Sequence, residues 1–122
     1  VKILYVENHE SFAKSVIQTF LPDHDVMICP TVAEALSLLG QSAWDVVLID
    51  YDLDDGKGDE VARVASALPN KPRLIACSSH ERGNQAILGA GAEMICSKMD
   101  IKMIGQFLPP ATDTRSQPEI DS

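Results

Sequence analysis

Residues 45–52, DVVLIDYD, decide the fold: Val46, Val47, Leu48 and Ile49 form an unbroken apolar run that ends on Asp50. A run this short and this uniformly aliphatic predicts a strand covered on both faces, as in a parallel sheet packed between helices. The strand is read as Asp45 to Ile49, with Asp50 carried just beyond its carboxyl end. Working outward, comparable runs predict four more strands at Lys2 to Val6, Asp25 to Cys29, Arg73 to Cys77 and Met94 to Ser97.

The intervals have helical spacing. Phe12, Val16, Ile17 and Phe20 make one apolar face, and Val32, Ala35, Leu36 and Leu39 make a second. The second helix should open on Thr31 and Glu34 as a capping box and close at Gly40. Val61, Val64, Ala65 and Leu68 mark a third helix stopped by Pro69, and Ala86, Ile87 and Ala90 a fourth ending near Gly91. A short fifth over Ile101, Ile104, Phe107 and Leu108 is halted by Pro109 and Pro110. Strict alternation of strand and helix predicts an α/β doubly wound (βα)5 sandwich with a parallel five-stranded sheet, because right-handed crossovers lay each helix on the sheet. Residues 1–108 form the expected domain; 109–122, PPATDTRSQPEIDS, are too polar to offset ordering entropy and are expected to be a flexible tail or truncated linker.

Composition narrows the function. Across 122 residues the net charge is −8, and the ten Lys and Arg residues are scattered, so the basic footprint of a nucleic-acid binder is missing. No apolar stretch approaches the ~20 residues of a membrane span, and no basic-then-apolar leader opens the chain, although Val1 in place of Met fits a trimmed or processed start. Cys29, Cys77 and Cys96 lack metal or redox spacing and fit buried free thiols in a reducing cytoplasm.

In an open parallel sheet, ligands bind beyond the carboxyl ends of the strands where strand order reverses. Here those ends carry Glu7 and Asn8, Asp50, Ser78 and Ser79, and Ser97 and Lys98. With strand order 2-1-3-4-5, Glu7 and Asp50 meet in one crevice, and two close carboxylates require a proton or a cation. Oxygen ligands beside a phosphate favour Mg²⁺, while Lys98 and a serine hydroxyl can neutralise and hydrogen-bond phosphoryl oxygens. These parts suit phosphoryl transfer.

Four segments, ILYVEN, DVVLID, LIACSS and GAEMICSK, occur in the order and spacing of response-regulator receiver domains, which residues 2–108 resemble. The resemblance implies the flavodoxin-like receiver fold and a two-component signalling role, with a histidine kinase or phosphotransfer protein as donor and an output domain or protein as target. It makes Asp50 the phosphoacceptor, Ser78 the switch hydroxyl and Lys98 the phosphate-binding lysine. Glu7, Asn8, Asp50 and the backbone carbonyl of Asp52 become the Mg²⁺ pocket. The chain departs from the family in four places: Asn8 stands for a second acid, Ile95 for an aromatic, Met99 for a proline, and Asp54 for another frequent proline.

Other readings compete with each assignment. Asp50 could simply end a strand in a turn, Ser78 and Glu81 have capping-box spacing for the fourth helix, with Ser79 able to share either role, and Lys98 could be a solvated strand end. His9, His24 and His80 lack ligand spacing and read as surface residues, while Met94, Met99 and Met103 read as core or interface filler. Asp50, Asp52 and Asp54 imitate the opening of a calcium loop, but Asp55 and Val61 fall where glycine and glutamate belong. An aspartate-nucleophile phosphatase of the haloacid-dehalogenase type would use Asp50 and Asp52, yet its motif belongs on the first strand. The stronger rival is a phosphorylation-independent docking module using Ile101, Met103 and Ile104 as a partner surface.

Overall fold

The computed structural model describes residues 1–109; the expected tail from 110 onward lies outside the described residues. Five parallel strands, β1 (Lys2–Val6), β2 (Asp25–Cys29), β3 (Val46–Ile49), β4 (Arg73–Ala76) and β5 (Met94–Ile95), are ordered β2-β1-β3-β4-β5. Sequence runs set the strands slightly too long: Asp45, Cys77, Cys96 and Ser97 fall just outside them. Cys77 and Cys96 each donate one further rung beyond their strands, Cys77 N–H to the Ile49 carbonyl and Cys96 N–H to the Ala76 carbonyl, and Asp45 bonds to Lys2 and Arg73 just before β3 begins.

Strand residues point alternately to two cores. Leu4, Val6, Val47, Ile49, Leu74 and Ala76 face the helices α2 (Val32–Gln41), α3 (Gly58–Ser66) and α4 (Glu81–Gly89). Ile3, Tyr5, Val46, Leu48 and Ile75 face α1 (Glu10–Phe20) and a terminal 3₁₀ helix, Lys98–Phe107. That last element differs from the expected α-helix: Asp100 has non-helical dihedrals that divide it, and its apolar anchor is Ile104, fully buried. Burial of Ile104 removes it from the proposed partner surface, whereas Met99, 85% exposed, is not core filler at all.

Helix ends also differ from expectation for identifiable reasons. Thr31 Oγ1 does accept from Glu34 N–H (3.1 Å), but α2 runs through Gly40 and is closed by Ser42 in extended conformation. A second cap arrives from far along the chain: the Asp55 carboxylate accepts from Val32 N–H (2.6 Å) and Ala33 N–H (3.0 Å). These bonds favour its ionised form and hold its carboxyl below the usual range. The loop after β3 is thereby tied to α2. After α4, Gly91 has φ of 128°, and a Cβ there would come within 2.5 Å of Ser66 Cβ, so only glycine fits this closure against α3.

Candidate functional site

The reversal of strand order between β1 and β3 opens a crevice at their carboxyl ends. Glu7 follows β1 and is fully buried; Asp50 follows β3 and is 4% exposed. Their backbones are bound into the sheet beyond the strands, Glu7 N–H to the Cys29 carbonyl and Asp50 N–H to the Val6 carbonyl, both 2.9 Å. Position is therefore inherited from the sheet.

Lys98 enters from the end of β5. Its Nζ lies 3.0 Å from Glu7 Oε1, 3.2 Å from Oε2 and 3.3 Å from Asp50 Oδ2, and it stands 5.1 Å above the centre of the Phe12 ring. The other Asp50 oxygen accepts from Tyr51 N–H at 2.9 Å. Burial and the neighbouring Glu7 charge push the Asp50 carboxyl up to about 6, against the opposing pull of Lys98 and the Tyr51 amide. Burial works against the Lys98 charge too, yet its hydrogen bond to Glu7 and the two carboxylates outweigh it and hold the ammonium above its ordinary range.

Asn8 follows Glu7 directly in the chain. Its neighbours are acceptors, so the amide is assigned with its nitrogen inward, where it would donate to the Asp52 carbonyl (3.1 Å) and Glu7 Oε2 (3.2 Å) and lie 3.3 Å from His9 Nδ1. The Asp52 carbonyl thus belongs to this pocket, while its carboxylate turns away to Lys57, whose hydrogen bond lowers its pKa. An acid committed in that way is poorly placed for the phosphatase reading.

His9 was expected to be a plain surface residue, and its side chain is indeed 68% exposed. Nevertheless its N–H donates to Glu7 Oε2 (3.0 Å) and its Nδ1 lies 3.3 Å from the same oxygen. Glu7, His9 and Asp50 each offer a ligand atom within 4.8 Å of the others. Two carboxylates, a backbone carbonyl and an imidazole form a donor set that fits a divalent cation, provided the Asn8 amide reverses to present oxygen. The only sequence signal for His9 was its place two residues after Glu7.

Ser78, 2% exposed, follows β4. Its Oγ accepts from His80 N–H at 3.2 Å, and His80 rather than Ser78 occupies the N-cap position of α4, so the capping box with Glu81 does not form. Sequence reasoning missed Asn84 altogether. Buried in α4, its side chain accepts from Ser78 N–H (2.7 Å) and donates to the Ser78 carbonyl (3.0 Å). Ser79 lies exposed beside the site.

No protein-family model matches the chain, and no curated protein matches it. Solved structures do. A CheY-like response regulator receiver domain protein from Methanospirillum hungatei JF-1 superposes with TM-score 0.74 at 22% identity, over 86% of this chain and 88% of that one. The receiver domain of sensor histidine kinase PA1611 from Pseudomonas aeruginosa PAO1, with a magnesium ion in its active site cleft, gives 0.73 at 19% identity over 87% and 94%. A Burkholderia pseudomallei response regulator with a phosphorylated aspartic acid, calcium ion and citrate gives 0.74 at 18% identity, over 88% of this chain and 65% of that one. The strand order and these superpositions agree: the chain has the fold of CheY-like response-regulator receiver domains.

Proposed function

We propose that the chain works as a phosphoacceptor receiver, taking a phosphoryl group onto Asp50 from a phosphohistidine of a histidine kinase or phosphotransfer protein. The observation that carries this reading is the single ammonium of Lys98 held against both Asp50 and Glu7. In the reaction an Asp50 carboxylate oxygen attacks phosphorus in line, the P–N bond breaks as the P–O bond forms, and the imidazole leaves with the donor. Lys98 is positioned to follow the charge onto a phosphoryl oxygen. Ser78 retains its hydroxyl proton for a second oxygen, since its Oγ only accepts, from His80 N–H.

Glu7, Asp50, the Asp52 carbonyl and a reversed Asn8 amide would hold Mg²⁺, which supplies neutralisation of charge on the transferring group. Phosphorylation would act through differential contacts with two conformations and so change the affinity for an output domain or protein. Such a chain is a cytoplasmic signalling module rather than a turnover enzyme. Among the described residues, no helix is long and apolar enough to cross a membrane.

The deciding experiment is incubation with acetyl phosphate or beryllofluoride, with and without Mg²⁺, read by intact mass or by spectral change. A metal-dependent adduct that disappears in Asp50→Asn is the expected result. Absence of any adduct would leave the second reading, a docking module independent of phosphorylation. That alternative draws on Asn8, whose amide nitrogen already satisfies the acceptors around the expected cation position.

A further inference from the structure

Ser78, just after the end of β4, is bonded to α4 through Asn84. A hydroxyl can be aimed only as well as the backbone that carries it, and β4 ends at Ala76 with one further rung from Cys77 N–H to the Ile49 carbonyl. Beyond that, the Asn84 carboxamide takes over the role of a neighbouring strand: its oxygen accepts from Ser78 N–H at 2.7 Å and its nitrogen donates to the Ser78 carbonyl at 3.0 Å. Both residues are 2% exposed, so water does not compete for these bonds. The same Ser78 carbonyl also accepts from Lys98 N–H at 3.2 Å.

The Ser78 carbonyl oxygen is therefore a shared acceptor, joining the Asn84 carboxamide to the Lys98 backbone N–H. The neighbour of Asn84 on α4 makes the approach possible. A Cβ on Gly83 would lie 2.7 Å from Tyr51 Cβ and 3.0 Å from Ser78 Oγ, so glycine lets the helix seat directly on the residue after Asp50 and on the hydroxyl itself. Small residue and amide work together: Gly83 brings α4 close and Asn84 fixes the register of contact.

We propose that Asn84 is a positioning residue for phosphoryl acceptance, setting Ser78 and Lys98 in mutual register and tying the state of the crevice to the first turns of α4. The inference rests on the receiver reading above, and goes beyond it by assigning the coupling to a side chain on α4 that never touches the phosphoryl group. Asn84 acts through the peptide of Ser78, and the direction of influence runs both ways: a shift of Ser78 toward a bound phosphoryl oxygen pulls on α4, and a ligand that holds α4 holds Ser78.

The test is a double-mutant cycle on beryllofluoride affinity, with Asn84→Ala, Ser78→Ala and the pair measured in the full chain with Mg²⁺. Asn84→Ala should weaken binding by about tenfold or more, as expected when a catalytic group loses its register. In the Ser78→Ala background the same change should have a smaller effect, limited to what reaches Lys98 through the residue 78 backbone that alanine retains. Amide hydrogen exchange should quicken at Ser78 and Lys98 together. Should Asn84→Ala melt below the assay temperature, Asn84→Asp substitutes for it: it is nearly isosteric, keeps the acceptor for Ser78 N–H and sets a carboxylate against the Ser78 carbonyl. Unchanged affinity in a folded variant, or effects of the two substitutions that simply multiply, would overturn the assignment. Failure of the parent chain itself to bind beryllofluoride is a different outcome, and it would overturn the receiver reading and the inference with it.

Discussion

Lys98 Nζ lies 3.3 Å from Asp50 Oδ2 and 3.0 Å from Glu7 Oε1, so one ammonium serves two buried carboxylates. The charges do not balance. Glu7 is fully enclosed and holds His9 N–H in addition to Lys98, whereas Asp50 keeps one oxygen on Tyr51 N–H and the other toward the crevice. Burial and the Glu7 charge raise the affinity of Asp50 for a proton, and an added cation would relieve the same imbalance.

Replacing Lys98 with Met keeps the length of the stem and removes the ammonium that, among the described residues, pairs with both carboxylates. Two carboxylates then face each other without compensation, and breaking a buried pair from one side costs about 3 kcal/mol. The expected loss is largest at pH 7.5 and smaller at pH 5, where Asp50 protonates. Urea unfolding at the two pH values reads the difference; equal losses at both would show that Lys98 contributes by packing on Phe12 alone.

Asp50 imposes its own pH dependence. Its folded pKa, about 6, lies above the ordinary aspartate value of 3.8, so the folded state binds the proton more tightly. This stabilisation is complete below about pH 4 and is lost as pH rises through 6. Asp50→Asn, which cannot ionise, should therefore melt higher than the parent at pH 7.5, by about 4–8 °C for each ~1 kcal/mol recovered in a domain of this size. The two melting curves should converge toward pH 4. Acceptance of a phosphoryl group should have the opposite trend, rising between pH 5 and 7 as the carboxylate forms.

The sheet was legible because its signal is local: a strand buried on both faces must be apolar throughout, as in Val46–Ile49. The crevice was legible for a related reason, since strand order determines which strand ends meet, bringing Asp50, Glu7 and Lys98 together from three distant stretches. What stayed hidden depends on pairings with no local trace. Asn84 sits in α4 like any polar helix residue, and only the fold reveals that it faces the Ser78 peptide. Asp55 caps a helix that begins 23 residues earlier. The apolar pattern after Lys98 suited an α-helix, but the kink at Asp100 turned Ile104 inward and left Met99 in solvent.

Asn8 offers a test of the metal pocket. With its amide nitrogen inward it bonds to Glu7 and the Asp52 carbonyl, an arrangement that must be undone for a cation to enter. Asn8→Asp removes that competing donor and adds a charged oxygen ligand. The variant should be less stable than the parent without metal, because a third carboxylate joins the cluster, and should gain more in melting temperature as Mg²⁺ is titrated to millimolar concentration. A Mg²⁺ response equal in the two proteins would place the ion elsewhere.

Two glycines should respond to alanine in opposite senses. At Gly58, which opens α3, an added Cβ would lie 2.0 Å from the Asp50 carbonyl oxygen and 2.9 Å from Ile49 Cγ2. The clash is with backbone, so no side-chain rotation relieves it, and α3 or the Asp50 segment must move. Gly58→Ala should cost about 1–3 kcal/mol or more and weaken beryllofluoride binding, because the displaced segment carries the acceptor. At Gly40, inside α2, nothing lies within 4 Å of an added Cβ, and alanine should gain about 0.5–1 kcal/mol from its lower unfolded-state entropy and better helix propensity. Denaturant midpoints compare the two directly. If Gly58→Ala proved as benign as Gly40→Ala, α3 would not be seated against the Asp50 backbone as described.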